Sequence, residues 1–101
     1  MTDNLIKRRI ELGITREDIA KILGYSLSHY SNIEKGKRVL YIRELYILSY
    51  ILNVDDMYIM GLIDKPIPLD INKRNYIKKY YNLDDKVIHK LYGKDVYDIT
   101  K

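Results

Sequence analysis

Residues 15–36 read T-R-E-D-I-A-K-I-L-G-Y-S-L-S-H-Y-S-N-I-E-K-G, and they constrain the fold more than any other stretch. Thr15 is an N-cap residue, with Asp18 three positions on as an acidic variant of the capping box. Ile19, Ala20, Ile22 and Leu23 give the short helix that follows one apolar side. Gly24 stops it, because glycine tolerates the left-handed backbone that a helix end needs. Ser26 caps another short helix, predicted from Leu27 to about Lys35, with Tyr30 and Ile33 facing inward; Gly36 ends it. Two helices this short, joined by so tight a turn, must cross closely. Ala20 is the only alanine in the chain. It stands four residues before Gly24, where the crossing needs a small side chain. Apolar residues at 19, 23, 25, 30 and 33 lock the pair together.

The flanking sequence is helical too. Asp3 caps a helix to about Leu12, with Leu5, Ile6, Arg9 and Ile10 on one stripe, and Gly13 ends it. After the basic loop Lys37-Arg38, a longer helix is predicted from about Tyr41 to Leu52, carrying Ile42, Leu45, Leu48, Ile51 and Leu52. Asn53 is its left-handed terminator, and Asp55 caps a short fifth helix to about Met60. Gly61, Pro66 and Pro68 punctuate a linker at 61–69. Asp70 then caps a helix over 71–81, with Tyr76, Ile77 and Tyr80 on one face and Arg74, Lys78 and Lys79 on the other. Asp84 caps a last helix with Leu83, Val87, Ile88, Leu91 and Tyr92 at helical spacing, and Gly93 ends it. No strand and no internal repeat is predicted. The expected fold class is all-α: a five-helix domain over 1–63 and a helical extension over 64–101.

A chain of 101 residues has enough surface to bury for one core and not for two. It has no cysteine and only two histidines, His29 and His89. Disulfides, thiolate metal sites, cysteine nucleophiles and His-rich metal sites are excluded, so no metal and no cofactor is expected. No apolar run approaches ~18 residues, so no transmembrane helix is expected. Lys7-Arg8-Arg9 is followed by Glu11 rather than an apolar stretch, unlike a secretory signal, and a cytoplasmic location is expected. The net charge is +4, with 9 Lys/Arg against 8 Asp/Glu in residues 1–63 and 9 against 6 beyond. Such mild basicity permits a nucleic-acid partner without requiring one. Phosphate-binding loops, dinucleotide glycine fingerprints, H-E-x-x-H and nucleophile elbows are all missing, so no enzyme is expected. The acidic pairs Asp55-Asp56 and Asp84-Asp85 fall at helix N-caps, which accounts for them.

A small residue, a glycine four positions later and core residues at fixed spacing are what a helix-turn-helix requires. The segment resembles the Cro/repressor-type helix-turn-helix family, also called the xenobiotic-response-element (XRE) family. R-R-I-E-L-G-I-T-R-E-D-I-A-K-I-L-G is similar to the family's first two helices. Y-S-x-S-x-Y-S-N-I-E-K-G-K-R is similar to its recognition helix and following loop, and residues 45–59 to its last two helices. The resemblance covers about residues 4–62. It implies a lambda-repressor-like fold and a sequence-specific DNA-binding regulator, a repressor binding a palindromic operator as a homodimer. It assigns base contacts to Leu27, Ser28, His29 and Asn32, the last able to pair with adenine. Leu27 departs from the family, which usually has a polar residue there; it suits a thymine methyl or a protein surface. Phosphate contacts fall to Arg16, Lys35, Lys37, Arg38 and Arg43. Arg9 and Glu34 match a structural ion pair between the first and third helices. Val39-Leu40 replaces the family's usual Asn-Pro.

Residues 64–101 lie outside the resemblance. Two helices of about ten residues are marginal alone, so their apolar faces must bury against the first domain, a second copy or a foreign protein. Dimerisation through Tyr76, Ile77, Tyr80, Val87, Ile88 and Leu91 is the expectation, with Arg74, Lys78 and Lys79 as a solvated face. His89 reads as a surface or packing residue. A second functional reading is a protein-interaction module, an antitoxin or a mobile-element inhibitor of a host factor, using Leu27 and a partner for residues 64–101.

Overall fold

In a computed structural model, which describes residues 2–91, the chain forms seven helices and, among the described residues, no strand. They are α1 (Asp3–Glu11), α2 (Arg16–Leu23), α3 (Leu27–Glu34), α4 (Ile42–Leu52), α5 (Asp56–Ile59), α6 (Ile71–Tyr80) and α7 (Asp85–Leu91). Tyr92, Gly93 and the side chain of His89 lie outside the described residues. Helix boundaries follow local chemistry. The Thr15 hydroxyl accepts from Asp18 N–H at 3.1 Å while Thr15 N–H donates to the Asp18 carboxylate, closing the capping box that starts α2. Ser26, Asp55 and Asp70 accept from the backbone N–H of His29, Met57 and Lys73. Gly24 ends α2 at φ 78° and Asn53 ends α4 at φ 49°, both left-handed.

At α1 the expected stripe is corrected. Leu5 and Arg9 are buried, but Ile10 is exposed. Residue 10 lies about 140° around the helix from residue 5, which takes it off the inner face. Thr2 makes no cap bond; its hydroxyl donates instead to the Glu34 carbonyl, tying the start of α1 to the end of α3.

One core serves the whole described chain. Leu5, Ile19, Leu23, Tyr30, Ile33, Leu48, Ile51 and Tyr58 share a single cluster with Leu69, Ile77 and Ile88. The 61–69 segment is docked: Leu69 is buried, and Asp55 N–H donates to the Ile67 carbonyl at 2.8 Å. The extension is therefore built onto the first five helices, with α6 packed along α4.

The orientation of α6 departs from the sequence expectation at Arg74 and Lys78. Tyr76 and Tyr80 are 59% and 65% exposed, their rings stacked at 5.6 Å. Arg74, expected in solvent, points inward. It donates to the Tyr50 carbonyl at 3.0 Å and to Asp85 at 3.2 Å, with its guanidinium 4.2 Å from the centre of the Tyr50 ring. Lys78 bonds Asp85 at 2.7 Å, and the Tyr50 hydroxyl donates to the same carboxylate. Lys79 alone of that trio stays fully in solvent. The cause lies at the end of α4, which has no basic residue in its last turn. Its terminal carbonyls need donors and its dipole favours a cation there. Arg74 serves the Tyr50 carbonyl and Arg8 serves the Leu52 carbonyl at 3.0 Å. The dimerisation set is corrected accordingly. Ile77 and Ile88 are buried in the chain's own core and Leu91 packs against it, so only Tyr76, Tyr80 and Val87 face outward.

Candidate nucleic-acid interface

The crossing of α2 and α3 buries Ala20, Leu23, Tyr30 and Ile33, which fixes how α3 presents its other side. Leu27, Ser28 and His29 stand exposed on its first turn, and Asn32 follows one turn later, half-buried. All four residues assigned to base contacts lie off the core, with Leu27 and His29 about 160° apart across the core-facing side of α3 and Ser28 and Asn32 between them on the outer side. Lys35 and Lys37 follow at the C-terminal side, exposed and with no ion-pair partner among the described residues. Arg16 stands at the first position of α2, its side chain 53% exposed.

Beneath that surface the ion pairs are geometrically tight. The Glu34 carboxylate is buried and receives the Arg9 fork, Nε at 2.7 Å and Nη2 at 3.1 Å. Arg9 Nη1 also donates to the Ile14 carbonyl at 3.0 Å, so this pair joins α1, the turn after it and α3. Arg16 Nε donates to the same carboxylate at 3.1 Å. Burial pushes the Glu34 carboxyl upward, but hydrogen bonds led by Arg9 outweigh it and hold the group below the ordinary carboxylate range. Arg16 bonds Glu34 through Nε alone, leaving its outer nitrogens to face solvent.

Arg38 is a correction. Its Nη1 and Nη2 both donate to Glu44, at 2.9 and 2.5 Å, Nη1 also reaches the Val39 carbonyl, and Nη2 meets His29 Nε2 at 3.1 Å. A fork committed to a buried carboxylate is not available to a phosphate. Arg43 is exposed, with only long contacts of 3.4 Å to the Tyr25 hydroxyl and the Leu23 carbonyl at the turn between α2 and α3.

The partner of Arg38, Glu44, was not singled out from sequence. It is fully buried and also accepts from the Tyr25 hydroxyl at 2.6 Å and from Tyr41 N–H at 2.9 Å. Burial alone would raise its carboxyl; the bonds from Arg38, Tyr25 and Tyr41 reverse that and hold it at about 2. A signal was present: residue 44 shares a helical stripe with Leu48 and Ile51, where an acid must find partners.

The helix-turn-helix family matches residues 5–59, more than half of the chain. The chain belongs to that family, in its Cro/repressor-type, or XRE, branch. That membership makes it a DNA-binding regulator of the XRE type, from a family of regulatory domains rather than enzymes. No curated protein and no solved structure matches it. Among the described residues no helix is long and apolar enough to cross a membrane.

Proposed function

We propose that the protein is a cytoplasmic, sequence-specific transcriptional repressor that blocks polymerase by occupying an operator. The observation that carries this is the exposed side of α3, where Leu27, Ser28, His29 and Asn32 lie off the core, with the cations Lys35, Lys37 and Arg16, the last bonded to Glu34, toward its C-terminal end. The cations anchor the phosphates and α3 reads base edges in the major groove. A palindromic operator would hold two chains, their recognition helices one DNA turn, ~34 Å, apart. The contact between chains then has to use exposed side chains, and of the residues expected to dimerise Tyr76, Tyr80 and Val87 are the exposed ones.

Binding of the purified chain to its own upstream DNA, against scrambled DNA over a salt series, tests this reading. Four phosphate cations per chain, Arg16, Lys35, Lys37 and Arg43, predict a log–log salt slope of roughly −4 for one chain and roughly −7 for a dimer. Nanomolar affinity that prefers the upstream fragment, with such a slope, supports the repressor. Weak binding without preference favours the second reading, a protein-interaction module such as an antitoxin or a mobile-element inhibitor of a host factor. Leu27, apolar and 46% exposed at the head of α3, is the observation on that side.

A further inference from the structure

Four side chains form a closed arrangement at the head of α3 that the family match does not explain. The Tyr25 and His29 rings stack nearly parallel, centroids 4.0 Å apart and 13° between planes. Arg38 Nη2 lies 3.1 Å from His29 Nε2. Both Tyr25 and Arg38 are themselves held by Glu44, which is fully buried and cannot swing away. The imidazole is exposed, yet its plane is set by one neighbour and its Nε2 edge by another. Only Nδ1 has no partner among the described residues.

The chemistry of that contact is one-directional. A guanidinium carries only donors and does not lose its proton in proteins. Opposite Arg38, Nε2 of a neutral imidazole must therefore be the acceptor, which leaves the ring hydrogen on Nδ1. We infer that His29 reads DNA as a fixed hydrogen-bond donor through Nδ1–H, with Arg38, Tyr25 and Glu44 as its positioning residues. The inference rests on the DNA-binding reading above and specifies what that surface selects. Guanine offers two major-groove acceptors, N7 and O6, while cytosine offers an amino donor. Adenine N7 and thymine O4 accept as well, so the base facing His29 is one of these three, and cytosine is disfavoured there on the order of fivefold to tenfold.

The first measurement needs no DNA: long-range 1H–15N correlation spectra of the full chain at neutral to mildly alkaline pH, with the His29 signals assigned by loss in His29→Asn. The expected pattern is the Nδ1–H tautomer, the less common one for a free imidazole. Arg38→Lys keeps a cation on Glu44, but one ammonium cannot also hold the imidazole edge, so the ring should return toward Nε2–H. Sequence selection from a randomised duplex pool is the second measurement. Wild type should deplete cytosine at one position per site, and His29→Ala and Arg38→Lys should both lose that depletion while other positions persist. An Nε2–H ring in the wild type overturns the inference and leaves the repressor reading standing. So does cytosine depletion that survives His29→Ala. A chain with the Nδ1–H ring that selects no sequence overturns the repressor reading and, with it, the reading of bases by His29.

Discussion

Ile77→Ala tests whether α6 belongs to the core or to an interface between chains. The side chain is fully buried within one chain, against the cluster that includes Leu69 and Ile88. The substitution removes three carbons, a transfer loss of roughly 2.4 kcal/mol at about 0.8 kcal/mol per methylene. A cavity term adds to that where the surroundings cannot collapse, giving about 2–5 kcal/mol in total. A domain of this size holds only about 5–15 kcal/mol, so the loss is a large share of it. In thermal unfolding it corresponds to a fall in Tm of roughly 10 °C or more. Urea unfolding at two protein concentrations a hundredfold apart is the deciding assay. The midpoint of Ile77→Ala should drop by the same amount at both concentrations. Tyr76→Ala and Tyr80→Ala, on the exposed face, should each change stability by about 0.5 kcal/mol or less. A loss for Ile77→Ala below about 1 kcal/mol, or one that vanishes when the protein is diluted, would refute the placement of α6.

Three further outcomes are expected. Asn32→Ala should weaken specific binding by ~1–3 kcal/mol while leaving non-specific binding unchanged, read by competition between upstream and scrambled DNA. Arg16→Ala should weaken binding to all sequences alike and make the salt slope shallower by roughly 0.9, because it removes one phosphate contact. The Glu44 carboxyl is held at about 2 in the folded chain against an ordinary 4.5. A folded value below the unfolded one gives stability that is full above pH about 4.5 and lost as pH falls toward 2. The urea midpoint should therefore slide across that window, and Glu44→Gln should flatten the slide; a midpoint indifferent to acid in the wild type would contradict the placement of that carboxylate.

Much of this fold was legible because helix ends are written in single residues. Thr15, Ser26, Asp55 and Asp70 each cap through their own side chains, and Gly24 and Asn53 take the left-handed conformation expected of them. The surface of α3 was equally readable, since Tyr30 and Ile33 fix which side turns inward. What could not be read was which face of α6 turns inward. Hydrophobicity alone puts the tyrosines inside and the cations outside. Ile77 does turn inward and Lys79 outward, but the tyrosines stay in solvent while the end of α4 and Asp85 together call for Arg74 and Lys78, a demand that exists only once the helices meet. Arg38 failed for the same reason. A basic residue after a recognition helix looks free for phosphate until Glu44, six positions on, is seen facing it from the buried side.

The single shared core has a consequence for how the chain comes into being. The family segment ends near Ile59, but Leu69, Ile77 and Ile88 belong to the same cluster and arrive later. At about 5–20 residues per second, a ribosome needs roughly 2–6 seconds to add residues 60–91. For that interval the seat of α6 along α4 is open, and the Tyr50 carbonyl and hydroxyl wait for Arg74 and Asp85. The nascent five-helix segment is thus a client for whatever shields apolar surface at the exit tunnel. Its folding finishes only once α6 and α7 have emerged and close over it.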